Sequence, residues 1–329
     1  MGGRGDDTMA VDGRPVVTIG EAMLRLSPAG LESLEQSDRW QVSVGGAEAN
    51  FAVALARLGV AVRWISKVPR SSLGRKLVGK IRQHGVDVSK VVWTDQGRVG
   101  LFFAEPGALP DGWTVLYDRN GSAMTLLQPE EVDWPAVRQA RVLHLTGITP
   151  ALGGGCREVV ERALAEARES GALVSFDVNY RAKLWSREVA AATLSSLLSR
   201  VDVLVASRDD ACTLFGAVGE DEEVARAVHE RFRPRVVVLT LGGRGAVAFD
   251  GEALYRASAY RTRVVDRIGR GDAFDAGFVY GYLSGGIPQG LQYGNALAAL
   301  AQTRPGDFAW ACPEDVRALI EGEVREVSR

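Results

Sequence analysis

Short apolar runs alternate with longer segments of helical periodicity along most of this chain. The apolar runs include PVVTIG (15–20), VRWISKV (62–68), RVLHLTG (141–147), LVSFDVNY (173–180), VDVLVAS (201–207) and RVVVLT (235–240). Helical periodicity marks residues 47–59, 73–84, 157–170 and 187–198. Short strands that alternate with helices are typical of a mainly parallel sheet covered by helices on both faces. We therefore expect an α/β fold.

Two stretches depart from this alternation, at about residues 23–44 and 91–119. They contain short β-type runs between glycine, proline and aspartate turns, with few helix signals. We interpret them as a small antiparallel lid at the carboxyl edge of the main sheet, where ligands of open α/β sheets bind. The prediction is a single domain over residues 15–329, preceded by a disordered leader over residues 1–14.

Composition narrows the function classes. The chain has 329 residues, 46% hydrophobic and 24% charged, with a net charge of -2, so we expect no nucleic-acid partner. No apolar run reaches the roughly 20 residues that span a bilayer, and the leader lacks the apolar core of a signal peptide, so we expect a cytoplasmic protein without a membrane partner. The three cysteines have neither disulfide nor zinc spacing.

The stretch VVDRIGRGDAFDAGFVYGYLSGG (264–286) carries the strongest chemical signal. It has a strand-like apolar lead-in, a glycine-spaced turn at Gly269-Arg270-Gly271, and a helix that is predicted to begin at Asp272. A helix N-terminus binds anions, and a carboxylate beside it can act as a base, as phosphoryl transfer to a hydroxyl requires. The alternative is an ordinary strand-to-helix turn capped by Asp272. Small residues at Ala273, Gly277 and Gly281 predict a face that allows close backbone approach.

A second glycine-rich segment, TLGGRG (240–245), precedes residues that are predicted to form a strand. A dinucleotide-binding fingerprint would open a helix, and no phosphate-binding P-loop motif occurs in the chain. The glycines instead allow a nucleotide to approach the backbone closely.

Two motifs together resemble a known family. GGAEANFAVALARLG (45–59) and DRIGRGDAFDAGF (266–278) are similar to the two signatures of ribokinase-like, phosphofructokinase-B type carbohydrate kinases, in the same order and at a similar separation. The resemblance covers nearly the whole chain after the leader. It implies a three-layer αβα fold with a β lid, and transfer of the γ-phosphoryl group of ATP, with Mg²⁺, to a sugar hydroxyl.

Within that family the chain most resembles 2-keto-3-deoxygluconate kinases, through GEAMLRLSPAG (20–30), GAEAN (46–50), YDRNGSA (117–123) and FDVNYR (176–181). A sugar acid suits the planar forks of Arg119 and Arg181. The residues that the resemblance assigns to the acceptor sugar are Gly46, Ala47, Glu48, Ala49, Asn50, Phe102, Tyr117, Arg119, Arg181, Asp272 and Asp307.

The resemblance also assigns the catalytic and nucleotide residues. Asp272 is the expected base, and Gly269, Arg270 and Gly271 form the anion site. The expected nucleotide contacts are Asn179, Ser207, Thr240, Gly242, Gly245, Gly269, Gly271 and Asn295, with Asp210 acting on Mg²⁺ through water. The alternative for Ser207 is a plain helix cap followed by acids in the first turn.

Three positions depart from the family pattern. Arg270 stands where alanine is usual, and either contacts the phosphates or faces solvent. Phe102 and Asp118 stand where 2-keto-3-deoxygluconate kinases have tyrosines. Asp118 therefore either binds a substrate hydroxyl or partly neutralises Arg119, which makes the identity of the sugar the least constrained feature.

The sequence leaves three other functions open: a fructokinase or ribokinase, a nucleotide-dependent oxidoreductase on an α/β sheet, and a non-catalytic sugar-binding relative. An open edge of the lid sheet also predicts a homo-oligomer, a dimer formed through the lid.

Overall fold

The computed structural model of the chain describes residues 13–30, 32–107 and 112–322. Most of the predicted leader therefore lies outside the described residues. The strands within those ranges are β1 (Val16–Ile19), β2 (Met23–Pro28), β3 (Trp40–Gly45), β4 (Val62–Ile65), β5 (Lys67–Pro69), β6 (Val92–Thr94), β7 (Gly100–Pro106), β8 (Trp113–Asp118), β9 (Val142–Thr146), β10 (Leu173–Asp177), β11 (Val203–Ser207), β12 (Val236–Thr240), β13 (Ala246–Phe249) and β14 (Leu254–Ala257).

Four helices, α1, α2, α4 and α5 in the numbering that follows, lie close to the predicted periodic segments, and α3, α6, α7 and α9 were not predicted from periodicity. They are α1 (Ala47–Arg57), α2 (Ser72–Arg82), α3 (Trp134–Arg138), α4 (Gly154–Ser170), α5 (Arg187–Leu198), α6 (Arg208–Phe215), α7 (Asp221–Phe232), α8 (Arg270–Ala301) and α9 (Pro313–Glu321). In the described part of the chain, no helix is long and apolar enough to cross a membrane.

The main sheet has eight strands in the order β14-β13-β12-β11-β10-β9-β1-β4. The six strands from β12 to β4 are parallel, and β13 and β14 extend the sheet in antiparallel fashion. One core cluster packs α3 to α7 against one face, and two others pack α1, α2, α8 and α9 against the other. The predicted three-layer α/β fold is therefore confirmed. Because parallel strands end at one edge, the loops after β1, β9, β10, β11 and β12 converge there.

The second sheet differs from the predicted antiparallel lid in two ways. Its order is β3-β2-β7-β8, and β2 pairs with β7 in parallel, so the sheet is mixed. Each half is an antiparallel hairpin, but the two hairpins meet through strands that run the same way. The second hairpin also begins at Gly100 and not near residue 91. The run 62–68 divides into β4 and β5, and β5 leaves the main sheet to pair with β6.

The segment before α8 is a loop and not the predicted strand. The backbone N–H groups of Val265 and Asp266 both donate to the carbonyl of Gln302, which holds this segment beside the end of α8 instead of in a sheet. The helix begins at Arg270, two residues earlier than predicted, because Gly269 takes a left-handed φ of 82° and caps it.

The predicted small-residue face of α8 is confirmed. The helix is interrupted at Gly285 and Gly286, whose backbone angles are not helical, and its two halves pack side by side. A Cβ atom on Gly277 would lie 2.5 Å from the carbonyl oxygen of Tyr293, and one on Gly281 would lie 2.5 Å from that of Gln289. Larger residues would separate the two halves and displace the start of the helix, which carries the glycine turn.

Candidate active site

The glycine turn at the start of α8 lies against the chain segment that follows the helix. A Cβ atom on Gly269 would lie 2.2 Å from the carbonyl oxygen of Asp307, so a side chain cannot be accommodated there. The turn lies at the positive end of the helix dipole, and the N–H of Arg270 already donates to the carbonyl oxygen of Arg267 at 3.4 Å. The anion site at this turn stays a prediction, for which the N–H groups of Gly269 and Gly271 are the candidates.

Asp272 lies in the first turn of α8, and residues at this helix start line two cavities: Gly269 and Asp272 line one, and Arg270 and Gly271 line the other. Asn50 in α1 donates a hydrogen bond from Nδ2 to Asp272 Oδ2 at 2.7 Å. Burial raises the pKa of Asp272, while hydrogen bonds from Asn50 and Asn179 and the charge of Arg181 oppose the increase. A carboxylate with a raised pKa accepts a proton more readily, so the environment suits a general base.

One of these cavities, which we call the acceptor cavity, is lined by all the predicted acceptor residues except Ala49. Ala49 is fully buried in the core packing of α1, because it points away from the cavity side of the helix. Glu21, Met23, Ile148 and Ile268 also line the cavity and were not predicted. The signal that could have identified Glu21 is its position two residues after β1, because the loop after this strand begins at the carboxyl edge of the sheet.

Arg119 is paired inside this cavity. Its Nε donates to Glu21 Oε2 at 2.8 Å, a second guanidinium nitrogen contacts the same oxygen, and both side chains are buried. Neither role predicted for Asp118 is supported, because its exposed carboxylate pairs with Arg98. A strand alternates its side chains between faces, so Asp118 at the end of β8 points to the outer surface. The acid that neutralises Arg119 is Glu21.

Arg181 differs from Arg119 in its surroundings. It lines the same cavity, is exposed, and forms no ion pair among the described residues, its one hydrogen bond being to the carbonyl of Tyr180 at 3.3 Å. Phe102 stacks on Tyr117 with 5.8 Å between ring centroids, which forms an apolar wall from the second sheet. The cavity thus offers a free guanidinium, a paired one and an aromatic surface.

A buried arginine joins the second sheet to the loops around α8. Arg25 in β2 contacts Asp307 at 2.9 Å and Asp266 at 2.7 Å. Burial raises the pKa of Asp307 to about 6, although Arg25 opposes the increase. Asp266 in turn accepts hydrogen bonds from the backbone N–H groups of Ile268 and Gly306. This ion triad fixes one wall of the acceptor cavity.

Glu48 lies beneath the cavity and is completely buried. Its Oε1 accepts hydrogen bonds from the hydroxyls of Thr146, at 2.8 Å, and Thr149, at 2.7 Å. Burial raises its pKa to about 7, although these two hydrogen bonds act to lower it. A Cβ atom on Gly20 would overlap the carboxyl group, so a larger residue at this position would displace the side chain of Glu48. Glu48 therefore supports the cavity from below and is near its titration point at neutral pH.

The second cavity is a cleft of about 760 Å³, which is within the range of small-ligand sites. Of the predicted nucleotide residues, Thr240, Gly242, Gly245, Gly271 and Asn295 line it. Residues from the segment 258–262 complete the lining and were not predicted, because this loop carries no recognisable motif.

The other predicted nucleotide residues lie elsewhere. Gly269 lines the acceptor cavity instead, and Asn179 lies beside Asp272 with a left-handed φ of 39°. Ser207 caps α6, since its hydroxyl accepts a hydrogen bond from the N–H of Asp210 at 3.0 Å. This is the geometry of the simpler alternative, a helix cap.

Acidic side chains gather behind Asp272. Burial raises the pKa of Asp210, and raises that of Asp177 to about 7. Asp275 has a buried carboxylate oxygen, Oδ2, without a hydrogen-bond partner in the described structure. The described residues contain no group of three His, Cys, Asp or Glu side chains placed to hold a metal directly. These acids suit a cation held through water, and the predicted role of Asp210 stays a prediction.

Comparison with known proteins identifies the family to which the chain belongs. The model of the pfkB family carbohydrate kinases matches residues 14–311. A 2-dehydro-3-deoxygalactonokinase from Haloferax volcanii is 39% identical, with 93% of this chain and 96% of the relative covered. The chain belongs to the pfkB family and is a carbohydrate kinase. The oxidoreductase and the non-catalytic relative are thereby excluded.

Two solved structures have the same architecture. A 2-dehydro-3-deoxygluconokinase from Thermotoga maritima has a TM-score of 0.87 and 33% identity, with 94% of this chain and 98% of that chain covered. A fructokinase from Xylella fastidiosa, solved with bound ATP, has a TM-score of 0.82 and 26% identity, with 94% and 98% covered.

The burial of Glu48 predicts a pH-dependent effect of Glu48→Gln. Between the ordinary pKa of 4.5 and the folded value of about 7, the folded protein binds more protons at this site than the unfolded chain, so the wild type loses stability as the pH rises. Glutamine does not titrate and keeps the oxygen that accepts from both threonines. The stability of the variant relative to the wild type should therefore rise by up to about 3 kcal/mol across this range.

Urea unfolding at several pH values measures this difference. Glu130→Gln is the control, because Glu130 is exposed and its substitution should give a pH-independent difference. A flat difference for Glu48→Gln would show that the pKa of Glu48 is the same in the folded and unfolded states, which would contradict the raised pKa.

Proposed function

We propose that this kinase transfers the γ-phosphoryl group of ATP to the 6-hydroxyl of 2-keto-3-deoxygluconate or a closely related keto-deoxy sugar acid. The observation that carries the proposal is that Asp272 lines the cavity of the acceptor residues, while the preceding residue, Gly271, lines the cleft of the nucleotide residues. A hydroxyl and a phosphoryl donor bound in the two cavities would meet at this carboxylate and at the glycine turn.

The proposed reaction is an in-line displacement. Asp272 accepts the proton of the acceptor hydroxyl, whose oxygen forms a bond to the γ-phosphorus of ATP. The bond from that phosphorus to the bridging oxygen breaks, and ADP leaves. The N–H groups of Gly269 and Gly271 stabilise the charge on the transferring oxygens, and Asn50 holds the carboxylate in position through its hydrogen bond. Asp272 then releases its proton to solvent.

We propose Mg²⁺ as the cofactor of the nucleotide. It would be held mainly by phosphate oxygens and water, with Asp210 oriented toward that water, and it would neutralise phosphate charge. The raised pKa values of Asp177 and Asp210 support this role, because neighbouring carboxylates would become easier to ionise beside a cation.

The proposed preference for a sugar acid is supported by the two arginines and by the relatives. A carboxylate can bind the free guanidinium of Arg181 without breaking an ion pair, and Arg119 keeps one nitrogen that is not occupied by Glu21. The Haloferax and Thermotoga relatives are named for 2-dehydro-3-deoxy acids that differ in configuration at one carbon. A neutral-sugar kinase is the second candidate, because Glu21 already neutralises Arg119.

We further propose that the second sheet acts as a lid and that two copies pair through it. Leu26, Val42, Phe103 and Leu116 form one cross-strand row on the face opposite Arg25 and Phe102. Val42 and Leu116 on this row are exposed, at 42% and 50%, and Trp40 beside it is 38% exposed. A continuous apolar surface of this kind favours a second copy of the same sheet.

Asp272→Asn should lower kcat on the order of 10²- to 10⁴-fold, because the amide cannot accept the hydroxyl proton. Thermal unfolding should show an equal or higher Tm, since the variant removes a charge that burial disfavours. Asp95→Asn is the control, because Asp95 is 87% exposed on the surface. A variant with ordinary turnover would contradict the role of Asp272 as base.

Substrate class is tested by an ADP-release assay with 2-keto-3-deoxygluconate, its galacto epimer, fructose and ribose. Arg181→Met should raise KM for the sugar acids on the order of tenfold to a hundredfold, the range of a charged hydrogen bond, with little change for neutral sugars. Arg187→Met, on an exposed position of α5, is the control. Preference for a neutral sugar, or an equal loss on both classes, would favour the second candidate.

Val42→Lys combined with Leu116→Lys should convert the proposed dimer to a monomer, because each charge would be buried without a partner in the interface. Light scattering at several protein concentrations measures the mass. Val218→Lys is the control, since Val218 is 80% exposed and distant from the second sheet. A wild-type monomer at all concentrations would refute the proposal.

A further inference from the structure

Arg270 lines the nucleotide cleft, which favours the first of the two alternatives that its sequence position left open, a contact with the phosphates. The residue is half-buried and lines the cleft together with Thr240 and Gly245. Its Nη2 atom lies 4.0 Å from the position that a Cβ atom on Gly242 would occupy. The side chain therefore extends from the turn at the start of α8 to the glycine loop after β12, and does not face bulk solvent.

The guanidinium has no acidic partner among the described residues. Arg244, which lines the same cleft, is paired with Asp221 at 3.0 Å, and Asp221 also contacts Arg208 and Arg256. Among the residues that the structure describes, no acidic side chain lines the cleft. Burial and the nearby charge of Arg267 lower the pKa of Arg270. An uncompensated, partly desolvated cation of this kind gains strongly from a bound anion.

We propose that Arg270 is a catalytic residue that contacts the β- and γ-phosphates of the bound nucleotide and stabilises the charge that develops during transfer. The proposal rests on the kinase function proposed above and adds to it a group that the backbone turn alone does not supply. Arg270 follows the residue that caps α8 and precedes Asp272 by two positions, so the base, the anion turn and the guanidinium belong to a single rigid helix start.

The charge balance supports a direct role in transfer. As the bond to the bridging oxygen breaks, negative charge accumulates on the leaving β-phosphate and on the transferring oxygens. A guanidinium that spans the cleft can donate two hydrogen bonds to such oxygens, whereas lysine offers a single ammonium group. Because Arg270 belongs to this chain, the proposed stabilisation does not require an arginine from a partner protein.

The test combines kinetics with nucleotide binding. Arg270→Ala should lower kcat on the order of 10²- to 10³-fold, the range found when one preorganised donor is removed, and Arg270→Lys should recover part of this loss. In calorimetry, Arg270→Ala should weaken the binding of ATP on the order of tenfold or more and leave the affinity for adenosine unchanged. Arg75→Ala is the matched control, since Arg75 is exposed on α2 and distant from the cleft.

The result that would overturn the proposal is a kcat within twofold of the wild type for Arg270→Ala, or an equal loss of affinity for adenosine and ATP. The kinase function is judged separately, on the wild type. A wild-type protein that binds ATP but phosphorylates none of the acceptors would refute the proposed function, and Arg270 would then be judged on the ATP and adenosine affinities alone.

Discussion

The acceptor side of the site depends on the buried guanidinium of Arg25. It joins three segments that are far apart in sequence: a strand of the second sheet, the loop before α8 through Asp266, and the loop after α8 through Asp307. Removing one partner of a buried ion pair typically costs about 3–5 kcal/mol, because the remaining charge is left in an apolar environment. The second sheet is therefore held at this point against the start of the helix that carries Asp272, the proposed base.

Asp307 transmits this constraint to both halves of the site. Its carbonyl oxygen occupies the space that a side chain on Gly269 would need, and its carboxylate occupies the space beside Gly45. The turn before α1 and the turn before α8 are thus packed against one residue. Since Asn50 in α1 also donates to Asp272 in α8, the acceptor contacts and the base are held in fixed relation. This explains why residues from two distant motifs form one site.

Much of this arrangement could be predicted from the sequence because it follows from local rules. Hydrophobic periodicity located α1, α2, α4, α5 and most strands of the main sheet, and the two motifs located Asp272 and most residues that line the acceptor cavity. The errors concern long-range choices. Parallel pairing of β2 with β7, the loop before α8 and the pairing of Arg119 with Glu21 depend on segments up to 98 residues apart, which neither periodicity nor spacing encodes. Asp118 was misjudged for the same reason, since its partner Arg98 lies outside its own strand.

The two cavities differ in charge, and this difference bears on the acceptor. The nucleotide cleft has arginines without lining acids, whereas in the acceptor cavity Glu21 compensates Arg119 and Arg25 compensates Asp307. Arg181 forms no ion pair among the described residues, and its positive charge opposes the increase that burial causes in the pKa of Asp272. If a substrate carboxylate binds Arg181, it offsets part of this effect and makes Asp272 a stronger base. A neutral sugar leaves Arg181 uncompensated and Asp272 a weaker base, so the electrostatics of the site support the proposed preference for an acidic acceptor at the chemical step as well as in binding.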